Sequence, residues 1–198
     1  MDFKFSDEQL AIRDAIAKLC AGFDADYWYH CDEQHRYPEE FAKAVLEAGW
    51  FGIAMPEEYG GSGLGITEAA IMMQTVAESG AGMSGASAIH LNIFGLNPVV
   101  VFGSEEQKRR MLPPLLRGEE SACFGVTEPN AGLDTTSLSV RAERTGDGYV
   151  IHGQKHWTSM AQRANKVLLL ARTTARNEVK KKTDGLSLFY TDLNRDYA

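Results

Sequence analysis

The segment Cys123–Ser159, CFGVTEPNAGLDTTSLSVRAERTGDGYVIHGQKHWTS, leaves the chain few folds to choose from. It opens on a short apolar run, Cys123–Val126, suited to a strand. It must then turn at Thr127-Glu128-Pro129-Asn130-Ala131-Gly132. Pro129 has no N–H to give a strand ladder, and Gly132 is free to take φ > 0. Beyond the turn the residues alternate as strands do, up to His156-Trp157-Thr158-Ser159. A turn of this kind leaves backbone N–H groups free beside hydroxyls, which suits a polar cofactor edge or a phosphate. Taken alone, such a loop is more often an ordinary strand connection. The second segment, about thirty positions on, changes the reading. If Thr127 and Trp157-Thr158-Ser159 end strands of one sheet, a hydroxyl edge and an aromatic plate can face one flat ring system.

The rest of the chain sorts by periodicity. Ser6 with Gln9, and Ser104 with Gln107, have capping-box spacing. Leu10, Ile12, Ile16, Leu19 and Cys20 follow the first at helical spacing, and Met111, Leu115 and Leu116 follow the second. Pro38 suits the first turn of a helix carrying Phe41, Val45 and Leu46. Further helices are expected from about Thr67, as cap, to Ser79 and from about Ala86 to Phe102. Met55–Gly63 is too rich in glycine and proline for a regular element, and Pro113-Pro114 is expected to distort or split its helix. After Gly118 the period becomes two. Ser139–Arg144 and Tyr149–His152 flank a Gly146-Asp147-Gly148 turn, and Lys166–Arg172 and Gly185–Asp192 read as further strands.

With 198 residues, 44% hydrophobic and 24% charged, the chain can build a sizeable core. A net charge of −7 and the lack of a basic arm argue against a nucleic-acid partner. Cys20, Cys31 and Cys123 have no metal-ligand spacing and read as reduced thiols of a cytoplasmic protein. Met1-Asp2-Phe3-Lys4 does not open a leader, and no apolar run reads as a membrane span.

The paired segments resemble the flavin-binding signature of the acyl-CoA dehydrogenase family, roughly aromatic-x-V-T-E-P-x-A-G-S-D followed by K-x-W-I-T. The matching residues are Phe124-Gly125-Val126-Thr127-Glu128-Pro129-Asn130-Ala131-Gly132-Leu133-Asp134 and Lys155-His156-Trp157-Thr158-Ser159. Met55–Gly63, Gly103–Lys108 and Leu112–Gly118 are similar to further stretches of that family. The resemblance implies an α+β chain. An all-α N-terminal domain over residues 1–118 precedes an incomplete antiparallel β-barrel domain over 119–198, and the family's C-terminal four-helix bundle is absent.

It further implies an FAD enzyme that dehydrogenates an acyl-CoA thioester at the α,β-bond, hydride passing to flavin N5. Phe124 and Val126 would line the ring, Thr127 would bond its pyrimidine edge, and Trp157 would pack against it. Ser159 aligns with a threonine near N5, Thr158 stands where isoleucine is usual, and Gly132 permits the turn. Leu133 replaces a serine that contacts cofactor or substrate phosphate, so either the backbone alone serves there or substrate preference differs. Lys182, in the Lys180-Lys181-Lys182 run, lies in a loop that in relatives can approach the CoA nucleotide, although such a run is more often simply a solvated loop. Glu128 is not assigned as the base, since the family's base lies beyond Ala198. The chain alone is therefore expected to be inactive. An electron-transfer flavoprotein is the implied acceptor, and a homo-oligomer the implied full-length state. An acyl-CoA oxidase, a nitroalkane-oxidase-like enzyme, or a non-catalytic chain completing a flavin site with a partner are the alternatives.

Overall fold

Residues 4–195 are described by a computed structural model. The expectation at Met1-Asp2-Phe3 lies outside the described residues. The chain divides between Glu119 and Glu120 into two compact units, one helical and one built on a sheet.

The helical unit comprises α1 (Asp7–Cys20), α2 (Ala25–Glu33), α3 (Glu39–Glu47), α4 (Ile66–Val76), α5 (Gly82–Phe94), α6 (Asn97–Phe102) and α7 (Glu105–Leu116). Ser6 and Ser104 each accept the N–H three residues on, and Gln9 and Gln107 return the bond, as their spacing predicts. Ile12, Ile16 and Cys20, four apart on α1, pack with Phe41 and Val45 of α3, Met72 and Val76 of α4, and Ile89 and Ile93 of α5. Helix α2 has no counterpart in the sequence reading. Asp24 caps it through the Tyr27 N–H at 2.9 Å, and its Trp28 meets Phe41 edge to face at 5.1 Å.

Several boundaries differ from expectation. Pro38 is the N-cap of α3 instead of a first-turn residue, and Gly65, not Thr67, precedes α4, its N–H bonded to the Glu68 carboxylate at 3.0 Å. Pro113 and Pro114 sit inside α7 without splitting it. The carbonyls their missing N–H groups leave free belong to exposed Arg109 and Arg110, where water can serve them.

The apolar stretch Ile66–Phe102 has the length and mean hydropathy, 1.4, to cross a membrane. A π-turn at Ala77–Ala81, with Gly80 at φ 100 and Gly82 at φ 53, interrupts it. The longest unbroken piece has 13 residues, about 20 Å, and its Ile89 and Ile93 are buried in the helical core.

The second unit holds β1 (Ala122–Gly125), β2 (Arg141–Thr145), β3 (Gly148–His152), β4 (Lys166–Arg172) and β5 (Leu186–Asp192). β2 and β3 form the expected hairpin around Gly146-Asp147, with Gly146 at φ 61. β5 runs antiparallel along the whole of β4. β1 lies parallel to β4 from Lys166 to Leu169, and β2 meets β4 in parallel sense at Arg141 and Arg172. The purely antiparallel expectation is corrected to a mixed, open sheet. Strand sense follows from how the chain crosses between strands, which period-two alternation does not encode. Since β5 fills one edge of β4, β1 and β2 share the other. The chain between them, residues 126–140, must leave the sheet and return to it there.

Candidate functional site

The excursion over residues 126–140 begins as a tight turn. Glu128 and Ala131 exchange backbone hydrogen bonds of 2.9 and 3.1 Å, leaving Pro129-Asn130 at the tip. Gly132 stays outside the positive-φ region, and a Cβ built on it would meet nothing. The proline turn already reverses the chain, so the conformational freedom expected of Gly132 is not used. Gly125, by contrast, is packed. A Cβ there would lie 2.8 Å from Leu169 Cδ1.

The second motif segment, 155–159, belongs to no strand, yet it lies against the first. The His156 N–H donates to Thr127 O at 2.8 Å, and Lys155 Nζ donates to Val126 O at 2.9 Å and Glu128 Oε1 at 2.8 Å. Glu128 is 5% exposed and receives three more bonds: Ser139 N at 2.7 Å, Ser139 Oγ at 2.8 Å and Val140 N at 2.9 Å. Burial raises the pKa of this carboxyl, but Lys155, the two backbone donors and the Ser139 hydroxyl outweigh it, so the net shift is downward. Lys155 is shifted downward as well, burial outweighing the carboxylate. The two shifts pull against each other. The charged pair is the state the geometry selects, because a protonated carboxyl would leave one convergent donor without an acceptor.

Around this buried pair the side chains singled out from the sequence are exposed or half-buried. Trp157 is 88% exposed with φ 56, a left-handed conformation that costs an aromatic residue of order 1–3 kcal/mol. Phe124 is 38% exposed and Leu133 fully so, while Val126, Thr127 and Thr158 are half-buried and Ser159 is exposed. The Thr127, Thr158 and Ser159 hydroxyls have no hydrogen-bond partner among the described residues. Val126 and Thr127 are thus joined to the Trp157 segment, while Gly132 and Leu133 lie further out on the excursion.

Lys182 belongs to a different feature of the same unit. It lines a cavity of about 550 Å³ with Ser137, Ser139, Arg141, Arg172 and Arg176. Arg172 is 5% exposed and, among the described residues, bonded only to backbone carbonyls, those of Leu138 (3.0 Å), Asp184 (3.2 Å) and Thr136 (2.9 Å). Asp134 caps the turn that leads into Thr136 and Ser137 of the lining. Ser137 and Thr136 hold its carboxyl down at about 2, with a smaller contribution from Lys182. The sequence reading missed the three arginines. The one signal was a charged residue, Arg172, closing an apolar strand.

A family model described as the acyl-CoA dehydrogenase N-terminal domain matches residues 6–119, and one described as the middle domain of the same enzymes matches residues 123–196. The chain is 35% identical over 194 residues to a probable acyl-CoA dehydrogenase, YngJ, of Bacillus subtilis, covering 97% of this chain and 50% of that protein. It is also 35% identical to a benzylmalonyl-CoA dehydrogenase of Aromatoleum aromaticum, covering 87% and 45%. Among solved structures, a glutaryl-coenzyme A dehydrogenase in complex with glutaryl-CoA superposes with a TM-score of 0.84 at 30% identity, over 97% of this chain and 48% of that one. The chain thus spans half or less of the length of these relatives.

Proposed function

The chain belongs to the acyl-CoA dehydrogenase family, and we propose that it carries the flavin-edge part of an FAD-dependent enzyme that forms an α,β-double bond in an acyl-CoA thioester. The observation that supports this best is Trp157, a strained and solvent-facing indole tied through its neighbour His156 to Thr127. A folded unit has no reason of its own to hold an indole in water. By the motif's resemblance a planar ring would lie against Trp157 and Phe124, and the hydroxyls of Thr127 and Ser159, unpartnered among the described residues, would meet its polar atoms. The residues fit the cofactor.

FAD, when bound, supplies the hydride acceptor. The chain's own task is to hold and orient. Thr127 presents a hydroxyl and a backbone edge, Trp157 and Phe124 present aromatic surface, and Ser159 presents a hydroxyl. Val126, Gly132, Leu133 and Thr158 complete the surround. Leu133 cannot donate where relatives of the motif have serine, so any phosphate contact there falls to backbone. For the substrate, the cations of Lys182, Arg176 and Arg141 around the 550 Å³ cavity suit the phosphates of CoA. No base is assigned to this chain. Glu128 is already saturated by four donors and held below the ordinary carboxylate range, the reverse of a group poised to take a proton. An electron-transfer flavoprotein as acceptor and a homo-oligomeric whole enzyme complete the proposal. The three cysteines, all unpaired and buried, are consistent with work in the cytoplasm.

The test is FAD titration of the purified chain, followed by tryptophan fluorescence and visible absorbance after free flavin is removed. We expect saturable but weak binding that Trp157→Ala abolishes, and no turnover of acyl-CoA. Absence of saturable binding would refute the flavin-edge reading. Stoichiometric retained flavin, or robust turnover, would refute the view that this chain is only part of the site.

A further inference from the structure

The segment that carries Trp157 and Ser159 has no strand of its own to place it. Between β3, which ends at His152, and β4, which begins at Lys166, its bonds to the first motif segment are the His156 N–H to Thr127 O and the two bonds of Lys155 Nζ. Glu128, in turn, holds three stretches far apart in sequence. These are its own turn after β1, the Ser139-Val140 backbone that leads into β2, and Lys155. Both side chains are nearly sealed from water, Lys155 at 10% and Glu128 at 3% side-chain exposure.

We propose that Glu128 and Lys155 are a positioning pair. Their buried ion pair sets the register of the Trp157–Ser159 segment against the Thr127 edge, and so determines whether the two motif segments form one ligand surface. Neither residue touches the ring in this view, and both act through Thr127 and Trp157. The geometry stands without any ligand, while the consequence for binding rests on the flavin-edge reading above.

The chemistry favours a clamp over a purely structural ion pair. A carboxylate with four donors and an ammonium shared between a carboxylate and a carbonyl fix direction as well as distance. An apolar pair of equal volume would fill the space and leave both segments free to slide, since non-directional contacts do not specify register. Taking away one partner leaves the other buried and unmatched, so each single variant is expected to disturb the site more than the double one.

The test compares the 198-residue chain with Lys155→Met, Glu128→Gln and the double variant, by amide hydrogen exchange without ligand and by FAD titration. In Lys155→Met, protection of the His156 amide should fall about tenfold or more, the loss expected when one charge-assisted bond goes. The Val167–Leu170 amides of β4 should keep theirs. FAD affinity should fall by a similar factor, and the double variant should be no worse than the single ones. Unchanged exchange at His156 overturns the proposal. So does an equal loss of protection along β4, which would mark the pair as general structural support. If the wild-type chain shows no saturable FAD binding while His156 responds as expected, the clamp stands and the flavin reading fails.

Discussion

Two glycines of this chain carry opposite sensitivities. A Cβ at Gly61 would stand 2.1 Å from the Met55 carbonyl oxygen, and backbone cannot step aside as a side chain can. Gly61→Ala should cost about 3 kcal/mol or more, read as a shift in urea midpoint. Gly132→Ala meets nothing and needs no positive φ, so it should be neutral or stabilise by about 0.5 kcal/mol. Any loss of FAD affinity in that variant then reports on the ligand surface, since the fold is unaffected. Beside Asp134, Glu128 contributes to the acid sensitivity of the sheet unit. Its pKa is lower folded than unfolded, near 4.3 in the free chain. Its stabilisation is complete above that value and is lost as pH falls through the folded-state value. Glu128→Gln should therefore destabilise at neutral pH and flatten the acid limb, measurable as urea midpoints between about pH 3 and pH 7. The motif makes Glu128 visible in the sequence. Its saturation by Ser139, Val140 and Lys155 does not appear there, because those donors come from 11 to 27 residues away.

Elements whose ends are set by near neighbours are readable from the chain alone. The Ser6/Gln9 and Ser104/Gln107 boxes close within one turn, so spacing suffices to place the starts of α1 and α7. Ser104→Ala should cost about 1 kcal/mol of stability, checked by chemical denaturation. The strand Lys166–Arg172 was likewise legible, as an apolar run closed by a charge. Helix α2 was not, although Asp24 stands at its start. Its sequence, ADYWYHCDE, is short and mixes apolar and charged residues without a clear helical stripe, and it is stabilised by Trp28 packing on Phe41. The cap of α4 at Gly65 was not legible either, whereas the break expected after Ser79 is present, at Gly80–Gly82. Gly65 has no side chain to signal a cap.

For the molecule as a whole, net charge and local charge point in different directions. The chain carries −7 overall, yet Arg141, Arg172, Arg176 and Lys182 surround one cavity. Ligand attraction there is set by the nearest few charges, since fields beyond about 8–10 Å are screened at physiological salt. Affinity for CoA should therefore fall as salt rises and fall again in Lys182→Ala, measurable by calorimetry at two ionic strengths. By itself the sequence determined the class of each half, the two capped helices, the hairpin around Gly146-Asp147 and the two motif segments with their order. All of these depend on residues a few positions apart, where spacing is geometry. Only the tertiary structure decided that β1 and β2 share one edge of β4, that the 126–140 excursion is thrown out between them, and that Lys155 and Glu128 meet beneath Thr127 and His156. These follow from chain crossovers and long-range packing, in which residues tens of positions apart come within 3 Å, and no local pattern records such distances.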